Sequence, residues 1–143
     1  MITSEIELDA PKAMHPADLT GSGLSVLLAE DDRALRRYLE VVLQRAGYKV
    51  ASVADGLEAM KVLLSATVDA VITDAMMPNL TGYELCRFVR SSQHLAHIPL
   101  ILLSALDPKN ATSEAESVDA FLPKPVSSDD LLKCLHGLVS QRR

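Results

Sequence analysis

The sequence predicts an α/β domain in which five short parallel strands alternate with five helices that cover both faces of one sheet. Five short apolar runs, rich in Val, Ile and Leu, are bounded by polar residues, Gly or Pro, which is typical of buried strands. The segments between the runs carry apolar residues at helical spacing. Strands and helices that alternate in this way form a parallel, doubly wound sheet through right-handed crossovers.

Composition places the chain among globular proteins and excludes several function classes. Its 143 residues suit one domain, and 48% hydrophobic against 23% charged residues is an ordinary balance. Aromatic residues make up only 3%, so the core must be aliphatic. The net charge of −5, without a cluster of Lys and Arg, argues against direct nucleic-acid binding. No apolar run approaches the roughly 20 residues of a membrane helix, so no membrane contact is expected.

The chain divides into a tail and a folded part. Residues 1–23 carry four acids against one lysine and no sustained periodicity, which predicts a disordered or loosely packed tail. Residues 24–143 are predicted to form the folded domain, and no secretory signal precedes them. Cys86 and Cys134 lie far apart without a CxxC pair, so we expect two free thiols in a reducing compartment and a cytoplasmic location.

The sequence predicts five strands and gives a clear start or stop signal for each of the first two helices. The predicted strands span residues 24–29, 49–53, 70–73, 100–103 and 120–122. The first helix carries an apolar stripe and ends before Gly47, a typical stop signal. Asp55 and Gly56 open the second helix. Its apolar positions are Leu57, Met60, Leu63 and Leu64.

The later helices have cap-like beginnings. Thr81 and Glu84 have the spacing of a capping box and open the third helix. Asp107, followed by proline, predicts a short fourth helix that ends near residue 117. Ser127 begins a polar run that opens the fifth helix. The inward positions predicted for that helix are Leu131, Leu135 and Leu138, with Leu132 and Val139 as further candidates.

Side chains suited to chemistry follow four of the predicted strands. Glu30 and Asp31 follow the first strand, and Asp74 ends the apolar run of the third. Ser104 follows the fourth strand and Lys124 follows the fifth. In open parallel sheets the ligand crevice lies beyond the carboxyl ends of the strands. We therefore expect these five side chains to converge at one edge of the sheet.

The three carboxylates predict a site for a divalent cation. Packed together without a counter-ion they would repel one another, and at least one pKa would rise. Oxygen ligands with several waters suit Mg²⁺ better than Ca²⁺, and the backbone carbonyl of Met76 is a further expected ligand. Asp74, with Mg²⁺ beside it and Lys124 opposite, is predicted to be a nucleophile that accepts a phosphoryl group as an aspartyl phosphate.

Taken together, these motifs resemble the receiver domain of the response regulators of bacterial two-component signal transduction. The matching motifs cover residues 24–140 and are Leu27-Leu28-Ala29-Glu30-Asp31-Asp32, Asp69-Ala70-Val71-Ile72-Thr73-Asp74, Met77-Pro78, Gly82, Leu103-Ser104-Ala105 and Phe121-Leu122-Pro123-Lys124-Pro125. The resemblance implies a flavodoxin-like fold with strand order 2-1-3-4-5. It also implies that Asp74 is the phospho-acceptor, that Glu30 and Asp31 are the acidic pair around Mg²⁺, and that Lys124 contacts the phosphoryl group.

The resemblance further implies a conformational switch and a set of partners. Ser104 would move to the phosphoryl group, and Phe121, the switch aromatic, would fill the space that is vacated. This would change the surface of the fourth helix, the fifth strand and the fifth helix. The donor would be a histidine kinase or a histidine phosphotransfer protein. The output would go to an unknown downstream protein or to a phosphorylation-dependent dimer.

The chain is not expected to be an enzyme beyond self-phosphorylation and slow self-dephosphorylation. Met76 and Leu106 lie two residues after Asp74 and Ser104, at positions that flank the phosphoryl group in this family. Both side chains are apolar, so neither can orient an attacking water. Arg36 and Arg37 on the first helix are predicted to form a solvated face, with a kinase contact as the alternative.

Other functions remain open at this point. A phosphatase of the haloacid-dehalogenase kind also uses a nucleophilic Asp, but Met76 stands where its second Asp would be. A pseudo-receiver that binds partners without phosphate is the other alternative. A flavodoxin-like cofactor carrier fits the fold, but no phosphate loop follows the first strand. The sequence shows no effector domain, which fits either a stand-alone receiver or a piece of a longer protein.

Overall fold

One five-stranded parallel sheet organises the part of the chain that the computed structural model describes, residues 23–105 and 118–141. The strands are β1 (Ser25–Ala29), β2 (Lys49–Val53), β3 (Ala70–Asp74), β4 (Leu100–Ser104) and β5 (Ala120–Pro123). The helices are α1 (Arg33–Arg45), α2 (Gly56–Ser65), α3 (Gly82–Ser91) and α4 (Ser128–Gln141). The strand order is β2-β1-β3-β4-β5, and every neighbouring pair is parallel. The predicted fold class and strand order are confirmed.

Two predicted segments fall mainly outside the described residues. Of the tail predicted at 1–23, only Gly23 is described. The fourth helix, predicted from Asp107 to about residue 117, also lies outside the described residues. The helix here named α4 therefore corresponds to the fifth helix of the sequence prediction.

Polar side chains define where the first three helices begin. Asp32 caps α1 and Asp55 caps α2, each by accepting a hydrogen bond from a backbone amide of the first turn. Thr81 and Glu84 form the predicted capping box at the start of α3. At the other end of α1, Gly47 has a φ of 94°, a left-handed conformation that glycine adopts without strain. The chain thus turns from β1 into α1 and from β2 into α2 within a few residues.

The core has two layers, one on each face of the sheet. Helices α1 and α4 pack on one face, and α2 and α3 pack on the other. Along β1, Val26 and Leu28 point to the first layer, whereas Leu27 and Ala29 point to the second. The central strands β3 and β4 are buried at every position. Their polar side chains can therefore meet a ligand only at the strand ends.

Helix α2 buries only part of its predicted apolar stripe, whereas α4 buries the face that was predicted. Leu63 is buried in α2, but Leu57 and Leu64 are 45% and 70% exposed. The buried positions of α2 are Gly56, Ala59 and Leu63. With that face turned to the core, the two leucines lie on the outward side of the helix. In α4, Leu131, Leu135 and the further candidate Val139 are buried. Leu132 and Leu138 are half-buried and pack against the same core layer.

The two cysteines are free thiols, as predicted. Cys86 is buried in the layer between α3 and the sheet, and burial raises its pKa to about 12. It therefore stays protonated at neutral pH and behaves as a small apolar side chain. Within residues 23–105 and 118–141, no helix has the length and apolar character that crossing a membrane requires.

Candidate functional site

The strand register brings the predicted site residues to one edge of the sheet. Asp74, the last residue of β3, lies opposite Leu103 of β4. Ser104, the last residue of β4, lies opposite the final residue of β5, and Lys124 follows directly. On the other side of β3, Glu30 follows the last residue of β1. The four strands end close to the same level of the register. Glu30, Asp74 and Lys124 converge there as the sequence predicts.

Three carboxylates and one ammonium group form the centre of this site. One carboxylate oxygen from each of Glu30, Asp31 and Asp74 lies within 4.8 Å of the others. The Lys124 Nζ atom is 3.0 Å from Oε1 of Glu30 and 3.1 Å from Oδ1 of Asp74. Glu30 is fully buried and Asp74 is 7% exposed, whereas Asp31 is exposed. In this cluster, called the pocket below, Glu30 and Asp74 are buried and Asp31 faces solvent.

Burial and the contact between acids and lysine act in opposite directions on the pKa values of Glu30 and Lys124. Burial raises the pKa of Glu30, and the nearby charge of Asp74 adds to the rise. The amide of Asp32 and the ammonium of Lys124 lower it again, but the net shift is upward. Burial alone would lower the pKa of Lys124, but its contacts with Glu30 and Asp74 raise the pKa above its ordinary value. The ionised cluster thus depends on its single ammonium for charge balance.

The turn between β1 and α1 holds the buried acid in place. The Asp32 amide donates to Oε2 of Glu30 over 3.0 Å, while the Asp32 carboxylate caps α1. The guanidinium of Arg36 donates to the backbone carbonyl of Glu30 over 2.8 Å. The prediction that Arg36 only forms a solvated face is therefore wrong. A side chain that reaches back to a strand end leaves no periodic pattern in the sequence, so no signal could have revealed it.

The two predicted switch residues lie on the side of β4 and β5. Ser104 is 4% exposed, and its backbone carbonyl accepts a hydrogen bond from the Lys124 amide over 3.0 Å. Phe121 is half-buried and packs against the core layer of α2 and α3. The Lys124–Pro125 peptide bond is cis. Leu106, expected to flank the phosphoryl group, lies outside the described residues.

The loop from β3 to α3 packs closely against the backbone of Asp74. Its first residue, Ala75, is buried, and its carbonyl accepts a hydrogen bond from the Gly82 amide over 2.9 Å. A Cβ atom at Gly82 would overlap the backbone carbonyl of Asp74. Met76, two residues after Asp74, is 61% exposed. The absence of a side chain at Gly82 therefore allows α3 to begin directly against the strand that carries Asp74.

A second contact ties this loop to α2 and was not foreseen from the sequence. Asp55 uses one carboxylate oxygen to cap α2 and the other to accept a hydrogen bond from the Asn79 amide over 3.2 Å. Asn79 has a φ of 72°, a left-handed conformation that asparagine tolerates. A Cβ atom at Gly56 would overlap the backbone of Leu80. The pair Asp55-Gly56 thus joins two loops, whereas sequence reasoning assigned it only the start of a helix.

The residues present fit a small, hard divalent cation. All three ligand candidates offer carboxylate oxygens, the donors that Mg²⁺ prefers. The exposure of Asp31 leaves room for the waters that Mg²⁺ retains. The net negative charge of three acids against one lysine favours a further cation. Mg²⁺ bound here would neutralise part of the acidic charge.

Comparisons with known proteins agree with this geometry. The sequence profile of the response regulator receiver domain matches residues 26–136. The transcriptional regulatory protein GltR of Pseudomonas aeruginosa is 36% identical over 128 residues, which cover 85% of this chain and 51% of GltR. The chain thus spans about half the length of the curated relatives it matches.

Solved structures show the same likeness. The receiver domain of the Francisella response regulator 1452 is 29% identical, with a TM-score of 0.77, and the match covers 85% of this chain and 100% of that one. The receiver domain of the sensor histidine kinase PA1611 of Pseudomonas aeruginosa, solved with a magnesium ion in its active-site cleft, is 28% identical with a TM-score of 0.76. That match covers 82% of this chain and 98% of that one.

Proposed function

This chain belongs to the response regulator receiver domain family, and we propose that Asp74 accepts a phosphoryl group from a phosphohistidine donor with Mg²⁺ as cofactor. One observation carries the proposal. A nearly buried carboxylate at a strand end has a lysine ammonium 3.1 Å away and two further acids within ligand distance. The magnesium ion in the receiver domain of PA1611 supports the choice of cation.

The transfer needs positioning and charge balance more than further reactive groups. A carboxylate oxygen of Asp74 forms a bond to phosphorus while the P–N bond of the phosphohistidine breaks. The bonding electron pair stays on the imidazole nitrogen, which takes a proton from solvent. Lys124 is already within contact of Asp74 and is placed to bind a transferred phosphoryl oxygen. The hydroxyl of Ser104 would donate to a second phosphoryl oxygen.

The transferred group would then change the shape of the neighbouring surface. It adds nearly two negative charges and three acceptor oxygens beside Lys124 and Ser104. Drawing Ser104 toward the phosphate would let the half-buried ring of Phe121 move inward. The proposed output surface comprises β5, α4 and the segment before β5. A histidine kinase or histidine phosphotransfer protein is the proposed donor, and a downstream protein or a second phosphorylated copy is the proposed target.

Incubation with acetyl phosphate and Mg²⁺, followed by intact mass measurement, tests the acceptor. We expect a mass gain of one phosphoryl group in the wild type and none after chelation of the metal. The Asp74→Asn variant is expected to show no gain, since an amide cannot form the anhydride. Asp129→Asn, an exposed position on α4, is the matched control and is expected to take up phosphate normally.

Two results would contradict the proposal. If the wild type gains no mass although it binds Mg²⁺, the chain is a pseudo-receiver. If it hydrolyses a phosphate ester over many turnovers through Asp74, it is an Asp-nucleophile phosphatase. Met76, which stands where such a phosphatase needs a second acid, makes that second result unexpected.

Met76 is expected to give the phosphoprotein a long life. This side chain is 61% exposed, stands two residues after Asp74 and cannot hydrogen-bond a water that attacks phosphorus. Met76→Asn would supply an amide that orients this water, so we expect the decay rate to rise about tenfold, less than a positioned general base contributes. The decay of the phosphorylated mass measures this. Leu64→Asn, an equally apolar and exposed site on α2, should leave the rate unchanged, and an unchanged rate in Met76→Asn would refute the idea.

A further inference from the structure

We propose that Arg36 is a positioning residue for the divalent-cation site, because it holds the backbone of the buried acid Glu30 in the geometry that binds the ion. The inference rests on the proposed function of the pocket but concerns a residue outside its acidic cluster. Arg36 lies in the first turn and a half of α1 and is only partly exposed. Its guanidinium donates to the carbonyl oxygen of Glu30 over 2.8 Å.

The contact completes a set of anchors around Glu30. The Glu30 amide donates to the carbonyl of Val53, the last residue of β2. One carboxylate oxygen of Glu30 accepts a hydrogen bond from the Asp32 amide, and the other lies 3.0 Å from the Lys124 Nζ atom. The carbonyl lies beyond the last register pair of β1, and the Arg36 guanidinium donates to it. A buried carbonyl that lost this donor would have to turn toward water.

The orientation of this carbonyl also determines the path of the chain into Asp31. The Glu30 carbonyl belongs to the peptide group that joins Glu30 to Asp31, so a rotation of that group changes a backbone torsion angle of each acid. The helix itself cannot yield easily, since the Arg36 amide bonds to the carbonyl of Asp32 over 2.8 Å. Arg36 thus links the first turns of α1 to the peptide that carries two of the three ligand candidates.

The charge of Arg36 and its positioning role predict opposite changes in Mg²⁺ affinity when the residue is replaced, which allows a clear test. A guanidinium near a site for a dication repels the ion, so charge alone predicts that its removal strengthens Mg²⁺ binding. Positioning predicts the reverse, because groups that orient metal ligands typically contribute about tenfold or more to metal affinity. The sign of the change therefore identifies the role.

The experiment compares Arg36→Met with Arg37→Met by titrating each protein with Mg²⁺ alone and measuring the dissociation constant by calorimetry. Arg37 is the matched control, since its side chain is 70% exposed and forms an ion pair with Glu40 on the same helix. We expect Arg36→Met to bind Mg²⁺ about tenfold more weakly. Arg37→Met removes the same charge one residue away and should bind as the wild type does or slightly tighter.

Further readouts separate positioning from a merely structural role. At saturating Mg²⁺ the Arg36→Met protein should take up phosphate from acetyl phosphate as the wild type does, so only the Mg²⁺ requirement shifts. A lower unfolding midpoint without any change in Mg²⁺ affinity would overturn the inference, and so would tighter binding. If Arg36→Met fails to fold, Arg36→Gln carries the same test. Phosphate uptake by wild-type Asp74 reports on the proposed function independently of these results.

Discussion

Replacing Gly82 by alanine is expected to destabilise the domain by about 3 kcal/mol and to weaken phosphate uptake, although the change adds only one methyl group. An added Cβ atom would overlap the backbone carbonyl of Asp74 and come within 3.0 Å of the Cα atom of Ala75. Both neighbours are backbone atoms of a fully buried strand end and cannot swing aside as a side chain can. Relief therefore requires α3 or the end of β3 to shift, which moves the carboxylate that the function depends on.

Urea denaturation and acetyl phosphate labelling of the same protein measure the two effects together. Gly137→Ala is the matched control, since a Cβ atom there would meet nothing within 4 Å inside α4. Alanine replaces glycine in a helix interior in that case, so a gain of roughly 0.5–1 kcal/mol is expected. If Gly82→Ala were as stable as the wild type, the close packing of α3 against Asp74 would be disproved.

Much of this architecture could be predicted because it depends on local patterns. Apolar runs of about five residues mark the strands, and all but the second end directly at an acid, Ser or Pro. The Thr81–Glu84 spacing marks a helix start. The carboxyl ends of parallel strands meet at one edge, so the closeness of Glu30, Asp74 and Lys124 follows once the strands are known. Their distances in the structure agree with that expectation.

The features that the sequence did not reveal depend on contacts between distant parts of the chain. The hydrogen bond from Asn79 to Asp55 joins residues 24 positions apart, and neither residue type is unusual for a turn. Leu64 is 70% exposed while its neighbour Leu63 is buried, and helical spacing alone does not decide which of the two faces the core. Side-chain periodicity indicates that a helix has an inner face, but packing decides which residues form it.

Replacing Lys124 by methionine is expected to destabilise the metal-free domain by about 3 kcal/mol at neutral pH. The ammonium lies 3.0 Å from Glu30 and 3.1 Å from Asp74, and both acids are almost fully buried. Removing it leaves two carboxylates in a poorly hydrated pocket without their counter-ion. The contacts raise the pKa of Lys124 above its ordinary value of 10.5, so its contribution is fully present below that pH and is lost only as pH rises further.

The pH and Mg²⁺ dependence of this variant distinguish lost charge from lost packing. Burial already raises the pKa of Glu30 above its ordinary value of 4.5, so this acid binds a proton more readily when folded. The stability deficit should therefore shrink as pH falls toward that value, because protonation removes the unpaired charge. Mg²⁺ should stabilise Lys124→Met more than the wild type, since the ion no longer competes with an ammonium for the same oxygens. Lys133→Met, on the exposed side of α4, is the control and should show neither effect. If the loss of stability in Lys124→Met changed with neither pH nor Mg²⁺, the lysine would stabilise the domain through its aliphatic chain instead of its charge.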